Sequence, residues 1–274
     1  MEDLLQKPPV LAPQASEALK TLVHTKREQT DARVFLLNHE GETVVIKRLS
    51  RVRFLTLRRW LSRWIYRRLE AQVEAPKPAA RAAAQAHEVN RLMQLAAAGV
   101  KVPRVIGVAD DWVAMSHVGD PIEKQLAEAS ADDRWATLEA LTLDLADFHR
   151  RGCWHGGAQI RNVTQQADGF YRFDFEEDLD RDLPLNALQA IDVLMFFSSL
   201  MRVKTDADVA PQIERLGSLL ALYQAAAPNE RVLALTEKGA GWLKSILPLL
   251  RRMPRQGGKE RLRVLVLMGL FLRH

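Results

Sequence analysis

Asn162 and Asp174 are the residues of this sequence best suited to chemistry. A carboxylate and an amide oxygen are hard donors, the kind magnesium accepts while keeping several of its waters. Asp174 lies in Arg172-Phe173-Asp174-Phe175-Glu176, where the aromatic neighbours predict a buried strand end from which the aspartate points into a cleft. Asn162 closes the run His155-Gly156-Gly157-Ala158-Gln159-Ile160-Arg161-Asn162, which follows a helix end closed by Gly152. Lys47 ends Val44-Val45-Ile46-Lys47, and Glu88 is the only carboxylate in the helix-like stretch 79–98. Asp192 interrupts the apolar run Ala190-Ile191-Asp192-Val193-Leu194, too far inside a helix to cap it, and a carboxylate buried there needs hydrogen-bond partners. Taken singly, these residues have ordinary accounts as a turn cap, a solvated strand-end lysine and a surface glutamate. Their order along the chain is what gives them joint meaning.

The elements that must position them can be read from pattern. Residues 1–20 read as a loosely held start. Arg33 to Arg48 reads as a hairpin, with Val34-Phe35-Leu36-Leu37 as one strand, Asn38-His39-Glu40-Gly41 as the turn and Val44-Val45-Ile46-Lys47 as the return. Ala79 to Ala98, dense in Ala, Leu, Met, Gln and Arg, is a helix closed by Gly99 and followed by Pro103. Val102–Val108 and Trp112–Val118 are strands joined by an Asp110-Asp111 turn, and Val163–Phe175 forms a short hairpin. Beyond Pro121 the remaining pattern is helical.

His155, Asn162 and Asp174 resemble, in type and spacing, the catalytic segment of protein kinases and of their small-molecule and lipopolysaccharide-kinase relatives. Those families carry H-x-D-x-x-x-x-N and then D-F-G. The resemblance runs from about Val34 to Leu200 and implies an α+β, bilobal protein-kinase-like fold. A small β-rich N-lobe would span 1–118 and a mostly helical C-lobe 119–274, with the catalytic segment at 155–176. It implies ATP and Mg²⁺ as cofactors, with Lys47 on the phosphates, Glu88 orienting Lys47, and Asn162 and Asp174 on the metal. Met115 to Gly119 would be the hinge, which places Met115 and His117 beside the nucleotide. His155 would brace the loop, and Asp192 would accept hydrogen bonds from the loop backbone.

The sequence departs from that pattern in several places. Gly157 stands at the position of the usual catalytic base, and Glu176 replaces the D-F-G glycine. Glu176 or Glu177 could supply the missing carboxylate. A positioned base contributes about 10²–10⁴-fold, so its loss lowers transfer without abolishing it. A pseudokinase that binds nucleotide and reports on it is the alternative. No glycine-rich loop precedes the hairpin, which leaves Lys26 to Asp31 to cover the phosphates. About eighteen residues separate Asp174 from Asp192, and no A-P-E follows, which favours a small-molecule, lipid or glycolipid acceptor over a protein.

Charge is unevenly spread over the 274 residues. The net charge is +5, yet Val44 to Leu69 holds no acidic residue and carries Arg48, Arg51, Arg53, Arg58, Arg59, Arg63, Arg67 and Arg68. This Arg-rich insertion, 48–78, places Phe54, Leu57, Leu61, Trp64 and Ile65 at helical spacing beside an arginine stripe. Such a pattern suits either a helix packed on the N-lobe with its arginines solvated or one lying on an anionic membrane surface through 51–68, and Trp60 and Trp64, one turn apart, favour the membrane. A second basic cluster surrounds Arg251 to Arg263. The expected partner is a lipid or glycolipid acceptor. No specific nucleic acid is expected, because no aromatic stacking platform accompanies the charge. The lone Cys153 excludes a disulfide framework within the monomer and a Cys-based zinc site. The start, MEDLLQKPPV, lacks the pattern of a signal peptide, and no apolar run approaches the roughly 20 residues of a spanning helix. The expected address is cytoplasmic, peripheral at the inner membrane.

Overall fold

The computed structural model describes residues 11–49, 81–175, 183–201, 203, 209–242 and 269–271. They fall into two compact units. The first comprises the described residues of 11–49, 81–120 and 164–175, and the second those of 121–163 and 183–271. The chain is thus α+β, with an antiparallel sheet in its N-terminal part and a helical C-terminal part.

The first unit opens with helix α1, Glu17–Gln29, whose first turn falls in the stretch 1–20 read from sequence as a loose start. Ser16 caps it by accepting the Leu19 N–H at 3.2 Å, and Lys26 and Arg27 complement the dipole of its last turn. Leu19 and Val23, one helical turn apart, are buried against Phe35, Val44, Ile46, Trp112 and Ala114. Burial of each contributes about 1.5–3 kcal/mol, enough to hold a helix whose exposed positions are mostly polar. Ahead of α1 the chain runs along the sheet: Ala15 N–H donates to the Val108 carbonyl and Val108 N–H to that of Pro13. Gly107 permits this approach, since a Cβ there would lie 2.9 Å from the Ala15 Cα.

Four strands follow: β1 Val34–His39, β2 Glu42–Arg48, β3 Val105–Val108 and β4 Trp112–Ser116. They form an antiparallel sheet in the order β1-β2-β4-β3. The β1–β2 turn is tighter than the pattern suggested. His39 pairs with Glu42, and Glu40 and Gly41 both take positive φ (52° and 82°), as a two-residue type I′ turn requires. Helix α2, Arg81–Ala97, ends at Gly99, whose φ of 73° lets Val100 N–H return to the Leu95 carbonyl. Its buried stripe is Gln85, Glu88, Leu92 and Leu95, and Gln85 clamps the helix to the sheet through the carbonyls of Ala109 and Trp112. The hairpin of β5, Val163–Gln166, and β6, Gly169–Arg172, joins this unit from Thr164 onward. It is tied there by Gln166 Nε2 to the Val118 carbonyl and Arg172 N–H to that of Lys101. The segment 155–176, expected wholly in the helical half, therefore divides, and Asp174 packs with the sheet.

The second unit contains α3 Ile122–Glu128, α4 Ala131–Arg150, α5 Leu185–Leu200, α6 Val209–Ala226 and α7 Glu230–Trp242. Helix α4 starts at the Ser130 cap, with Asp132 and Asp133 in its first turn, and stops at Gly152 (φ 75°). Helix α5 is buried along most of its length. Phe196 and Phe197 meet edge-on, and Phe271 packs against Phe197 at 5.9 Å in the same T-shaped manner. No helix among the described residues is long and apolar enough to cross a membrane.

Candidate active site

In β2 the side chains of Val44 and Ile46 enter the core under α1, so alternation turns Lys47 to the opposite face, between its cross-strand partners Val34 and Val113. Lys47 is only 9% exposed, and a buried ammonium must be paired. Its Nζ lies 2.7 Å from Glu88 Oε1 and 2.7 Å from Asp174 Oδ1. Glu88 reaches it because the buried stripe of α2 includes position 88. The pattern in sequence left open whether Glu88 was buried, and the structure places it in the interior. Asp174 is more open, with 39% of its side chain exposed. Its φ of 70° is one that side-chain-bearing residues adopt at a cost of about 1–3 kcal/mol. The neighbouring Phe175, buried to 1%, and the ion pair to Lys47 hold it there.

The second unit builds the loop 155–162. Asn162 ends a 3-10 turn, Ile160–Asn162, and its Nδ2 donates to the Gly157 carbonyl at 2.9 Å. That bond fixes the amide, leaving Oδ1 as the atom suited to a cation. His155 is buried, and its Nδ1 accepts the Gly157 N–H at 3.2 Å, which assigns any single ring hydrogen to Nε2. Gly156 needs glycine for its φ of 83°. Gly157 does not adopt a positive φ, and a Cβ there would meet Asn162 Nδ2 at 3.5 Å and His155 Nδ1 at 3.7 Å, ordinary contacts. Its lack of a side chain is imposed neither by backbone nor by space.

Asp192, wholly buried in α5, carries the loop. One oxygen accepts the Gly156 N–H at 2.7 Å, and the other accepts the His155 N–H at 2.5 Å and faces His149 Nε2 at 3.4 Å. Burial pushes the carboxyl upward. The hydrogen bond from His149, the favourable electrostatics of the His149 and His155 rings, and the His155 N–H outweigh burial and hold Asp192 below the usual range. Gln189, one turn earlier on α5, donates to the carbonyls of His149 and Cys153, pinning the end of α4. His149, Gln189 and Tyr223 were absent from the candidates. The one signal for them was a histidine and a glutamine lying on otherwise apolar faces.

Met115 is buried within β4, paired with Val45 and Val105, and its backbone belongs to the sheet. His117 has an exposed side chain, and its N–H already serves the Thr43 carbonyl at 3.1 Å. Lys26 to Gln29 form no phosphate-covering loop: they are the last turn of α1, and Arg27 forks onto the Asp111 carboxylate at 2.7 and 3.3 Å. Asp111, in the turn between β3 and β4, is the charged anchor of that last turn. Glu176, Glu177 and 50–78 of the Arg-rich insertion lie outside the described residues. Among the described residues, no cluster of three or more His, Cys, Asp or Glu could hold a metal.

A family profile for the RIO domain matches residues 33–195, more than half of the chain. The chain belongs to the RIO-domain family. No curated protein matches the sequence. The RIO domain is an atypical protein-kinase-like fold of ATP-binding phosphotransferases, and these typically use magnesium. The matched region contains Lys47, Glu88, Asn162, Asp174 and Asp192 and stops before Tyr223. As a RIO domain, the chain offers donors that suit magnesium in kind. Asp174 presents a partly exposed carboxylate, and the Asn162 amide is held with its oxygen turned away from the Gly157 carbonyl.

Proposed function

We propose that this RIO domain is an ATP-dependent phosphotransferase acting on a lipopolysaccharide, lipid or other envelope-associated small acceptor at the inner face of the cytoplasmic membrane. The observation that carries the phosphotransfer reading is the buried Lys47 held between Glu88 and Asp174. Lys47 would hold the nucleotide phosphates, Glu88 would keep its Nζ aimed, and Asn162 and Asp174 would hold magnesium. The metal, when bound, neutralises charge on the transferring phosphate. The acceptor class is supported by the short interval from Asp174 to Asp192 and the missing A-P-E, together with the resemblance of the 149–176 segment to the Kdo/heptose kinase-like group. The membrane address is supported by the basic, Trp-bearing pattern of 51–68.

Gly157, on this reading, stands where relatives carry the base, and it supports a second reading, a nucleotide-binding pseudokinase at the same membrane. The experiment that separates the two is transfer of labelled γ-phosphate from Mg-ATP into an envelope lipid extract, wild type beside Asp174→Asn. Label with wild type, reduced about 10²–10³-fold in a folded Asp174→Asn protein, is the expected outcome. Equal label in both sinks the assignment, and ATP binding without label moves it to the pseudokinase. Glu88→Gln keeps an acceptor for Lys47 while removing the charge. Calorimetric titration with Mg-ATP should show binding about tenfold weaker, the order of one charge-assisted hydrogen bond reduced to a neutral one.

A further inference from the structure

Helices beyond residue 195 lie outside the RIO match, yet one of their side chains enters the support of the 155–162 loop. Tyr223, on α6, is 2% exposed, and its hydroxyl lies 2.6 Å from His149 Nδ1. The two rings meet edge-on at 89° with centroids 5.7 Å apart. On its other side His149 faces Asp192, whose two oxygens hold the N–H groups of His155 and Gly156. A continuous polar chain therefore runs from α6 through the end of α4 and α5 to the loop.

We propose that Tyr223 is a positioning residue of this loop: its phenol donates to His149 Nδ1, fixes the ring hydrogen on Nε2, and so aims that hydrogen at the Asp192 carboxylate. The donor and acceptor inventory selects this arrangement. A phenol has one hydrogen, and burial with the charge of Asp192 pushes its ionisation upward, so Tyr223 keeps that hydrogen at every working pH. A neutral imidazole has one donor and one acceptor. With the ring hydrogen on Nδ1, the bare Nε2 would face a carboxylate, two acceptors opposed in a buried site. With the hydrogen on Nε2, every partner is matched. The His149–Asp192 contact is long at 3.4 Å, so it depends on how the ring is aimed. The tyrosine bond, at 2.6 Å, is the tighter of the two and sets that aim.

The consequence is that α6 takes part in shaping the loop, although it lies beyond the family match. It holds whether or not the loop transfers phosphate, so its test reads structure and not turnover. Long-range ¹H–¹⁵N spectra of the wild-type full chain at pH 7.5 should show His149 with Nδ1 bare and Nε2 protonated. Hydrogen exchange, compared between wild type and Tyr223→Phe, should show the His155 and Gly156 amides exchanging about tenfold faster in the variant, the order of one lost buried hydrogen bond. Amides of α1 and α7 should be unmoved. A protonated Nδ1 in the wild type overturns the proposal, and that spectrum decides even if the variant does not fold. Unchanged loop exchange overturns it too. Acceleration spread evenly over the second unit also overturns it, because it would make Tyr223 a packing residue only.

Discussion

Asp192→Ala is expected to lower the unfolding free energy by about 3–5 kcal/mol, the cost of removing one partner from a buried ionic cluster. The carboxylate accepts two backbone N–H groups and faces an imidazole, all without access to water. Alanine leaves both amides unmatched in the interior, each at about 1–3 kcal/mol. Against a total stability of about 5–15 kcal/mol, this is among the largest losses one substitution in the chain can produce. Urea unfolding at pH 7 measures it. The pH dependence distinguishes a charged Asp192 from a neutral one. Its native carboxyl sits below the ordinary range, so the unfolded state binds the proton more readily. The ionic contribution is complete above the unfolded value of about 3.9 and is lost as pH falls through the lower native value. The gap between wild type and Asp192→Ala should therefore be full at pH 7 and should narrow below about pH 3.9. A gap that stays constant into strong acid would show that Asp192 acts through packing.

Local pattern is legible where a residue's conformation is decided by its neighbours in sequence. The β1–β2 hairpin, the glycine at the end of α2 and the strands flanking Asp110-Asp111 are of that kind. Helix α1 is not. Its sequence, EALKTLVHTKREQ, offers only Leu19 and Val23 as inward residues, and what stabilises it is docking on Phe35, Val44, Ile46, Trp112 and Ala114. The same distinction runs through the candidate site. Resemblance joined Lys47 to Glu88 and placed Asp174 beside the same phosphates, but composition and spacing could not choose between a paired and a solvated lysine. Tyr223 and His149, 74 positions apart and with no motif joining them, meet only because α4 and α6 pack together. Arg27 and Asp111 follow the same rule across 84 positions, and their pairing replaces the phosphate-covering loop that the missing glycines suggested.

Gly157→Asp is expected to raise phosphate transfer by about 10²–10⁴-fold, the contribution of a positioned base, if the chain is the phosphotransferase proposed above. The structure makes this substitution informative because glycine is not needed at the site. The backbone lies outside the positive-φ region, and a Cβ would rest at 3.5 Å and 3.7 Å from Asn162 Nδ2 and His155 Nδ1, contacts that displace nothing. The adjacent Gly156 behaves differently: at φ 83° it would be strained by any side chain, so Gly156→Asp is the matched control and should lose stability without gaining activity. Phosphoryl transfer relies mainly on positioning and electrostatics, so a base adds to a rate that Lys47, Asn162 and Asp174 already support. A folded Gly157→Asp protein that binds Mg-ATP and shows a large gain would mean that a single missing carboxylate limits the natural chain. The same protein binding Mg-ATP with no gain would mean that the site holds nucleotide without transferring phosphate, and the pseudokinase reading would stand in its place.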